Sequence, residues 1–249
     1  EAVDATFKDQ AHEIGTIILE PIDFNSGGIQ PRPGYLAGLR KLASDYGVIL
    51  FFDEIQSAFK RSTGGAQTDF GVIPDICTIG KSLGGGLPLS AICGRADLMD
   101  RFKPVGDVQH SGTFNAPLTS VMAGLGFCTE VVRPDFYPHL EKLGEALYGG
   151  MEAVITELGL PVQVPHYGAR FGLMFGLDKP PVDYRDALRH RRDLMLEFVR
   201  QMAPQGVYFH DYGGGPCHHG FSSAHSLEDI AKVLEAFRNS MLAIKDRFA

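Results

Sequence analysis

The sequence predicts an α/β fold built on a mostly parallel sheet, followed by a smaller α+β domain. Three observations carry this. Gly15–Glu20, Val48–Phe52 and Ile76–Ile79 are short apolar runs with the length and composition of buried strands. Between the first two, Leu36, Leu39, Leu42 and Ala43 recur at helical spacing, so Tyr35–Tyr46 reads as a crossover helix closing a βαβ unit. Polar residues then follow the strands at their carboxyl ends: Asp53-Glu54-Ile55-Gln56 after the second, Lys81 after the third. Open α/β sheets collect ligand-binding side chains there.

The remaining elements follow in chain order. Glu1–Glu13 has helical spacing, and the loop Asp23–Pro33, with paired glycines and two prolines, is a shaped segment near the strand ends. Ser57–Phe70 is polar and glycine-containing, an irregular surface segment. Leu89–Cys93 reads as a strand, Ala96–Phe102 as a short helix, and Pro117–Val131 and Asp135–Leu158 as longer helices. A domain boundary is expected near residue 132, with 1–131 part of the large domain and 132–249 the small one. In the latter, Val162–Val164, Phe171–Phe175 and Gly206–Phe209 read as strands. Arg185, Arg189, Arg191 and Arg192 sit on the solvated face of a helix through Met202, whose apolar face carries Leu188, Leu194, Met195 and Phe198. Leu227–Phe248 closes the chain, with Ser226 as its N-cap.

A net charge of −7 with no basic block argues against nucleic acid or an anionic membrane as partner. Cys77, Cys93, Cys128 and Cys217 are scattered without metal-ligand spacing, as reduced cysteines are. No apolar run reaches the length of a membrane span and no signal peptide precedes the first strand, so a soluble, cytoplasmic protein is expected.

Lys81 is the centre of the chemistry. It follows Gly80 and opens a glycine-rich turn, Ser82-Leu-Gly-Gly-Gly-Leu-Pro88. An amine at the end of a rigid element among apolar residues is expected to be desolvated, which disfavours its ammonium form and makes it a nucleophile toward aldehydes. The alternative is a surface lysine in a flexible loop. Gly80-Lys81-Ser82 also ends like a nucleotide-binding P-loop, but that motif requires glycine where this chain has Asp75, and here the glycines follow the lysine. Asp53 and Lys81, ending two strands, can face a single cleft. The pair suits pyridoxal 5′-phosphate (PLP): the lysine forms a Schiff base, and the carboxylate keeps the pyridine nitrogen protonated so that the ring accepts electrons.

With these stretches together, the chain resembles the class III, fold-type I aminotransferases, in the branch of glutamate-1-semialdehyde aminotransferase. The resemblance covers nearly all of the chain. Its motifs are Ile17-Ile-Leu-Glu20-Pro21, Phe52-Asp53-Glu54-Ile55-Gln56, Pro74-Asp75 through Lys81 to Gly86, His110-Ser-Gly-Thr113-Phe-Asn115, and Gly220-Phe-Ser-Ser-Ala-His225. It implies a PLP enzyme moving an amino group between an amine or amino acid and a carbonyl compound. Lys81 and Asp53 would be catalytic, Ile55 would pack on the pyridine ring, and Gln56 would bond the phenolic oxygen. Thr113 would reach the phosphate of a partner's cofactor, which implies at least a homodimer. The competing roles are core packing for Ile55, a solvated amide for Gln56 and a helix cap for Thr113. Glu54 is expected to hold the loop by hydrogen bonds.

The family's small-residue phosphate loop and ring-stacking aromatic residue, both N-terminal, are not found. The chain is therefore expected to correspond to the C-terminal half or more of such an enzyme, the rest being a separate chain, removed or missing. The adjacent His218 and His219 depart from the family pattern and are candidates for shaping specificity. No metal pattern, Cys-His dyad or Ser-His-Asp signature is distinctive around them. Three readings compete with the aminotransferase: an aminomutase returning the amino group to the same skeleton, a non-catalytic subunit, and a nucleotide-binding domain.

Overall fold

The computed structural model describes residues 2–248; Glu1, the start of the N-terminal helical stretch, and Ala249 lie outside the described residues. The chain divides into two compact units, residues 1–21 with 31–133, and residues 22–30 with 134–249.

The first unit contains α1 (Ala2–Gln10), β1 (Thr16–Leu19), α2 (Tyr35–Tyr46), β2 (Ile49–Asp53), α3 (Gly65–Asp69), β3 (Ile76–Ile79), β4 (Ala91–Gly94), α4 (Ala96–Met99) and α5 (Leu118–Val131). Its strands lie in the order β1-β2-β3-β4. The first three are parallel and β4 runs antiparallel at the edge. The mostly parallel α/β sheet is thus as the sequence predicts. Alternation along each strand puts Leu50, Phe52 and Cys77 on the face covered by Phe7, Leu36, Leu39 and Ala43. The opposite face carries the row Ile18, Phe51 and Ile76, and Ile18 is 62% exposed.

Asp75, the residue that excludes a P-loop, is a buried fastener. It accepts from Leu50 N at 2.8 Å and pairs with Arg40 at 2.9 Å and Arg95 at 2.7 Å. Burial alone would raise its carboxyl pKa, but the Leu50 N–H and the guanidinium of Arg40, with Arg95, outweigh it and hold it below the usual carboxylate range.

The second unit contains α6 (Phe136–Leu158), β5 (Val162–Gln163), β6 (His166–Tyr167), β7 (Arg170–Gly172), β8 (Met174–Phe175), α7 (Tyr184–Ala187), α8 (Arg192–Met202), β9 (His218–Gly220) and α9 (Leu227–Ile244). Two small antiparallel sheets, β5-β8 and β6-β7-β9, pack with α6, α8 and α9 around Leu143, Met151, Phe198, Phe237 and Met241. Ser226 caps α9 in a reciprocal box with Asp229. Residues 22–30 belong to this unit: the Phe24 carbonyl faces His218 Nδ1 at 3.3 Å, and Gln30 donates to the His166 carbonyl at 3.3 Å.

Several predicted elements differ. Gly206–Phe209 is not a strand: it joins neither of the small sheets, whose members are β5-β8 and β6-β7-β9. The strand in this region is His218–Gly220. Phe171–Phe175 divides at Leu173, β7 pairing with β6 and β9, and β8 with β5. The basic run does not lie on one helix. Buried His190 draws the chain inward between α7 and α8, its Nδ1 accepting from Phe175 N at 3.0 Å, and Leu188 is left exposed. Ser57–Phe70 contains the short helix α3. No described helix is long and apolar enough to cross a membrane.

Candidate active site

The site is assembled by the carboxyl ends of β2 and β3. Asp53 is the last residue of β2 and lies opposite Thr78 in the parallel register. Its Oδ1 accepts from Thr78 Oγ1 at 3.1 Å and from the backbone N–H of Ile55 at 3.0 Å. Its Oδ2 accepts no hydrogen bond among the described residues. The carboxylate is therefore held at one oxygen, with the other available.

Glu54 is turned the opposite way and is 0% exposed. Its Oε2 accepts from Ala66 N at 2.7 Å and Ser57 Oγ at 3.1 Å, and its Oε1 from Gln67 N and Nε2, both at 3.1 Å. It holds the following loop, as expected. Gly65 has φ +67, and a Cβ there would come within 2.4 Å of Glu54 Oε2, so both the turn and the close approach require glycine. Gln56 is buried, which removes the solvated-amide reading.

Lys81 opens a single tight helical turn, Lys81–Gly84, after Gly80. A Cβ at Gly80 would stand 2.8 Å from Ile55 Cδ1, so the side chain two residues after Asp53 rests against the residue before Lys81. Asp53, Ile55 and Lys81 are thus brought into one neighbourhood. The turn seats on α5, where a Cβ at Gly124 would meet Leu83 O at 3.0 Å and Leu89 Cδ2 at 2.6 Å. Ser82 Oγ accepts from Lys60 Nζ.

One expectation about Lys81 changes. It is exposed, not desolvated, because the described residues after it, Gly85 to Pro88, are exposed as well and do not enclose it. Its backbone also has φ +46, a left-handed conformation that costs a side chain energy. Its Nζ makes no hydrogen bond or ion pair among the described residues.

Thr113 is not brought to this neighbourhood by any contact the structure contains. It lies in an exposed loop before α5, beside Phe114, which is 86% exposed. The helix-capping alternative fails, since α5 starts after Pro117 with no side-chain cap. The residue missed from sequence is Thr78. It is the only polar side chain of β3, but only the register shows that it faces Asp53.

With this geometry in view, residues 1–241 match the family described as aminotransferase class-III. The chain belongs to the class-III aminotransferases. It is 32% identical over 246 residues to a glutamate-1-semialdehyde 2,1-aminomutase 2 of Staphylococcus haemolyticus, covering 98% of this chain and 56% of the relative. A crystal structure of an omega-transaminase from Sphaerobacter thermophilus matches with TM-score 0.88 at 27% identity, covering 96% of this chain and 54% of that one. A β-phenylalanine aminotransferase from Variovorax paradoxus matches with TM-score 0.90 at 26% identity, covering 98% and 56% respectively. The chain thus spans about half the length of the relatives it matches.

The histidines that depart from the family pattern are buried in the second unit. His218 Nδ1 lies 3.3 Å from the Phe24 carbonyl, and His219 is packed against Phe171 and Phe209. Burial, with neighbouring His218, His210 and Arg170, lowers the His219 pKa to about 3, so the ring is neutral. Cys217 donates to the His210 carbonyl at 3.2 Å and lies 3.6 Å from His219 Nε2. Burial pushes its thiol up to about 12, the wrong direction for a nucleophile.

Proposed function

We propose that this chain carries the cofactor-bearing part of a PLP-dependent aminotransferase, acting between an amino acid or amine and a keto acid or aldehyde. The observation that carries the reading is the pairing of an anchored carboxylate with an unengaged amine. Asp53 has one oxygen fixed and the other available, and Lys81 Nζ has no partner among the described residues.

These residues fit the cofactor's two ends. Asp53 Oδ2 would accept from the ring nitrogen, Lys81 Nζ would hold the aldehyde carbon, and Gln56 would serve the phenolic oxygen. Ile55 would lie against the ring, since it already borders the residue before Lys81. When bound, PLP supplies an electron sink for the charge released at the substrate carbon. Lys81, displaced by the incoming amine, would carry a proton away from that carbon as general base. Asp53 would hold the proton on the ring nitrogen throughout. Thr113 would serve the phosphate of a second copy. Exposure of both Lys81 and the Thr113 loop supports a site completed by a partner surface. We place the domain boundary near residue 132.

An aminomutase is the second reading, favoured by the relative at 32% identity. Omitting any second carbonyl compound separates the two, since a mutase turns over without one. The test of the cofactor reading is borohydride reduction of PLP-supplied protein followed by peptide mass mapping. A pyridoxyl adduct on Lys81 is expected. An unmodified Lys81 in PLP-supplied dimer would overturn Lys81 as the attachment point and favour a non-catalytic subunit.

A further inference from the structure

We propose that Cys77 and Cys93 form an oxidant-sensitive pair, which a peroxide converts to a cross-strand disulfide closing the base of the loop that carries Lys81. The proposal stands apart from the cofactor reading, because it rests on the sheet alone.

The two cysteines are direct partners in the antiparallel register of β3 and β4. Leu19, Phe52, Cys77 and Cys93 form one row across the four strands, so both thiols project to the same, helix-covered face. Both are free. The Thr78 carbonyl accepts from Glu54 N at 2.9 Å, so Thr78 turns its peptide groups toward β2. Cys77, one residue earlier, turns its own toward β4, which makes the cysteines a hydrogen-bonded pair with Cα atoms about 5.5 Å apart. Disulfides span Cα separations of roughly 4.4–6.8 Å.

The Cβ atoms of such a pair start near 5.5 Å, so they must draw together by about 1 Å or more to reach bonding distance. Among the described residues β4 pairs with β3 alone, so it can yield. A bond made under that strain is readily reduced, as labile regulatory disulfides are.

Access and order of reaction follow from burial. Both cysteines line a recess of about 530 Å³, together with Gln67 and Arg95. Cys93 is half-buried and Cys77 buried, and burial raises the Cys77 thiol pKa. Cys93 therefore reacts first: its thiolate attacks the O–O bond, becoming a sulfenic acid as one water is released. Cys77 sulfur then attacks that sulfur, forming the S–S bond and releasing a second water. Two thiols lose two electrons and two protons, and one peroxide becomes two waters.

The link would enclose Thr78–Ile92, which includes Lys81 and its glycine-rich turn. It would also disturb Gln67, whose Nε2 lies 3.6 Å from Cys77 Sγ and 3.1 Å from Glu54 Oε1.

The test exposes the purified protein to a small excess of hydrogen peroxide, blocks remaining thiols by alkylation and maps the peptides. Joint loss of the Cys77 and Cys93 thiols is expected, with a linked peptide that dithiothreitol releases. Hydrogen exchange of the Lys81–Ser90 amides should slow several-fold after oxidation. Cys93→Ser should abolish both effects, and Cys128→Ser should leave them. Over-oxidised Cys93 beside a free Cys77, or a link from Cys93 to Cys128, would overturn the pairing. A Cys77–Cys93 link with unchanged exchange in the loop would overturn its closing role.

Discussion

Thr78 holds Asp53 across the parallel strands: its hydroxyl donates to Oδ1 at 3.1 Å, from the residue opposite in register and three before Lys81. The strand that delivers the amine therefore also orients the carboxylate. Thr78→Val keeps the shape and removes the hydroxyl. Stability should fall by about 1 kcal/mol, the worth of one hydrogen bond. The proposed turnover, measured at saturating PLP, should fall up to about tenfold, equivalent to about 1.4 kcal/mol. Thr78→Ser should restore turnover; a serine variant as slow as valine would remove the hydroxyl from this role.

Glu54 is a structural carboxylate beside Asp53, the one proposed to serve the cofactor. Four donors converge on its two oxygens, and each oxygen faces a backbone N–H, Ala66 N at Oε2 and Gln67 N at Oε1. Glu54→Gln sets an NH₂ group against donors and should cost about 2–4 kcal/mol in urea denaturation. A loss under 0.5 kcal/mol would show that the loop does not depend on it.

Lys81 sits where glycine would be more comfortable, at φ +46. Lys81→Gly should therefore be more stable than Lys81→Ala by about 1 kcal/mol, since alanine keeps the left-handed strain. Both variants should lose the proposed activity. Thermal denaturation of the pair reads this directly; equal melting points would mean the turn relaxes without strain.

His190 gives the second unit an acid weakness. Burial lowers its pKa to about 4, opposed by the Gly214 carbonyl. The unfolded chain takes up this proton near pH 6.5, so the contribution is full above that pH, declines as pH falls, and is lost by about pH 4. The loss should amount to about 3 kcal/mol. His190→Gln, which still offers Phe175 N–H an acceptor, should flatten this part of the stability profile between pH 4 and 6.5. An unchanged profile would show that His190 is not the group responsible.

Much of this was legible in the chain itself. The three apolar runs, the Tyr35–Tyr46 crossover and the residues at the strand ends were readable because strand burial and helix periodicity are local properties. Glu54 could be assigned to the loop and Asp75 used to exclude a P-loop for the same reason. In the second unit, the division of Phe171–Phe175 and the strand at His218–Gly220 were not readable. These elements are two or three residues long, and their partners are distant in sequence, so no period can form.

The sequence by itself determined the α/β class, the order of the first-unit strands along the chain, and the chemical types placed at their carboxyl ends. Only the tertiary structure decided which residues meet. Parallel register put Thr78 against Asp53, antiparallel register put Cys93 against Cys77, and the path of the turn left Lys81 exposed. Register and exposure depend on how separate segments pack, and a one-residue slip would have sent each of these side chains to the other face.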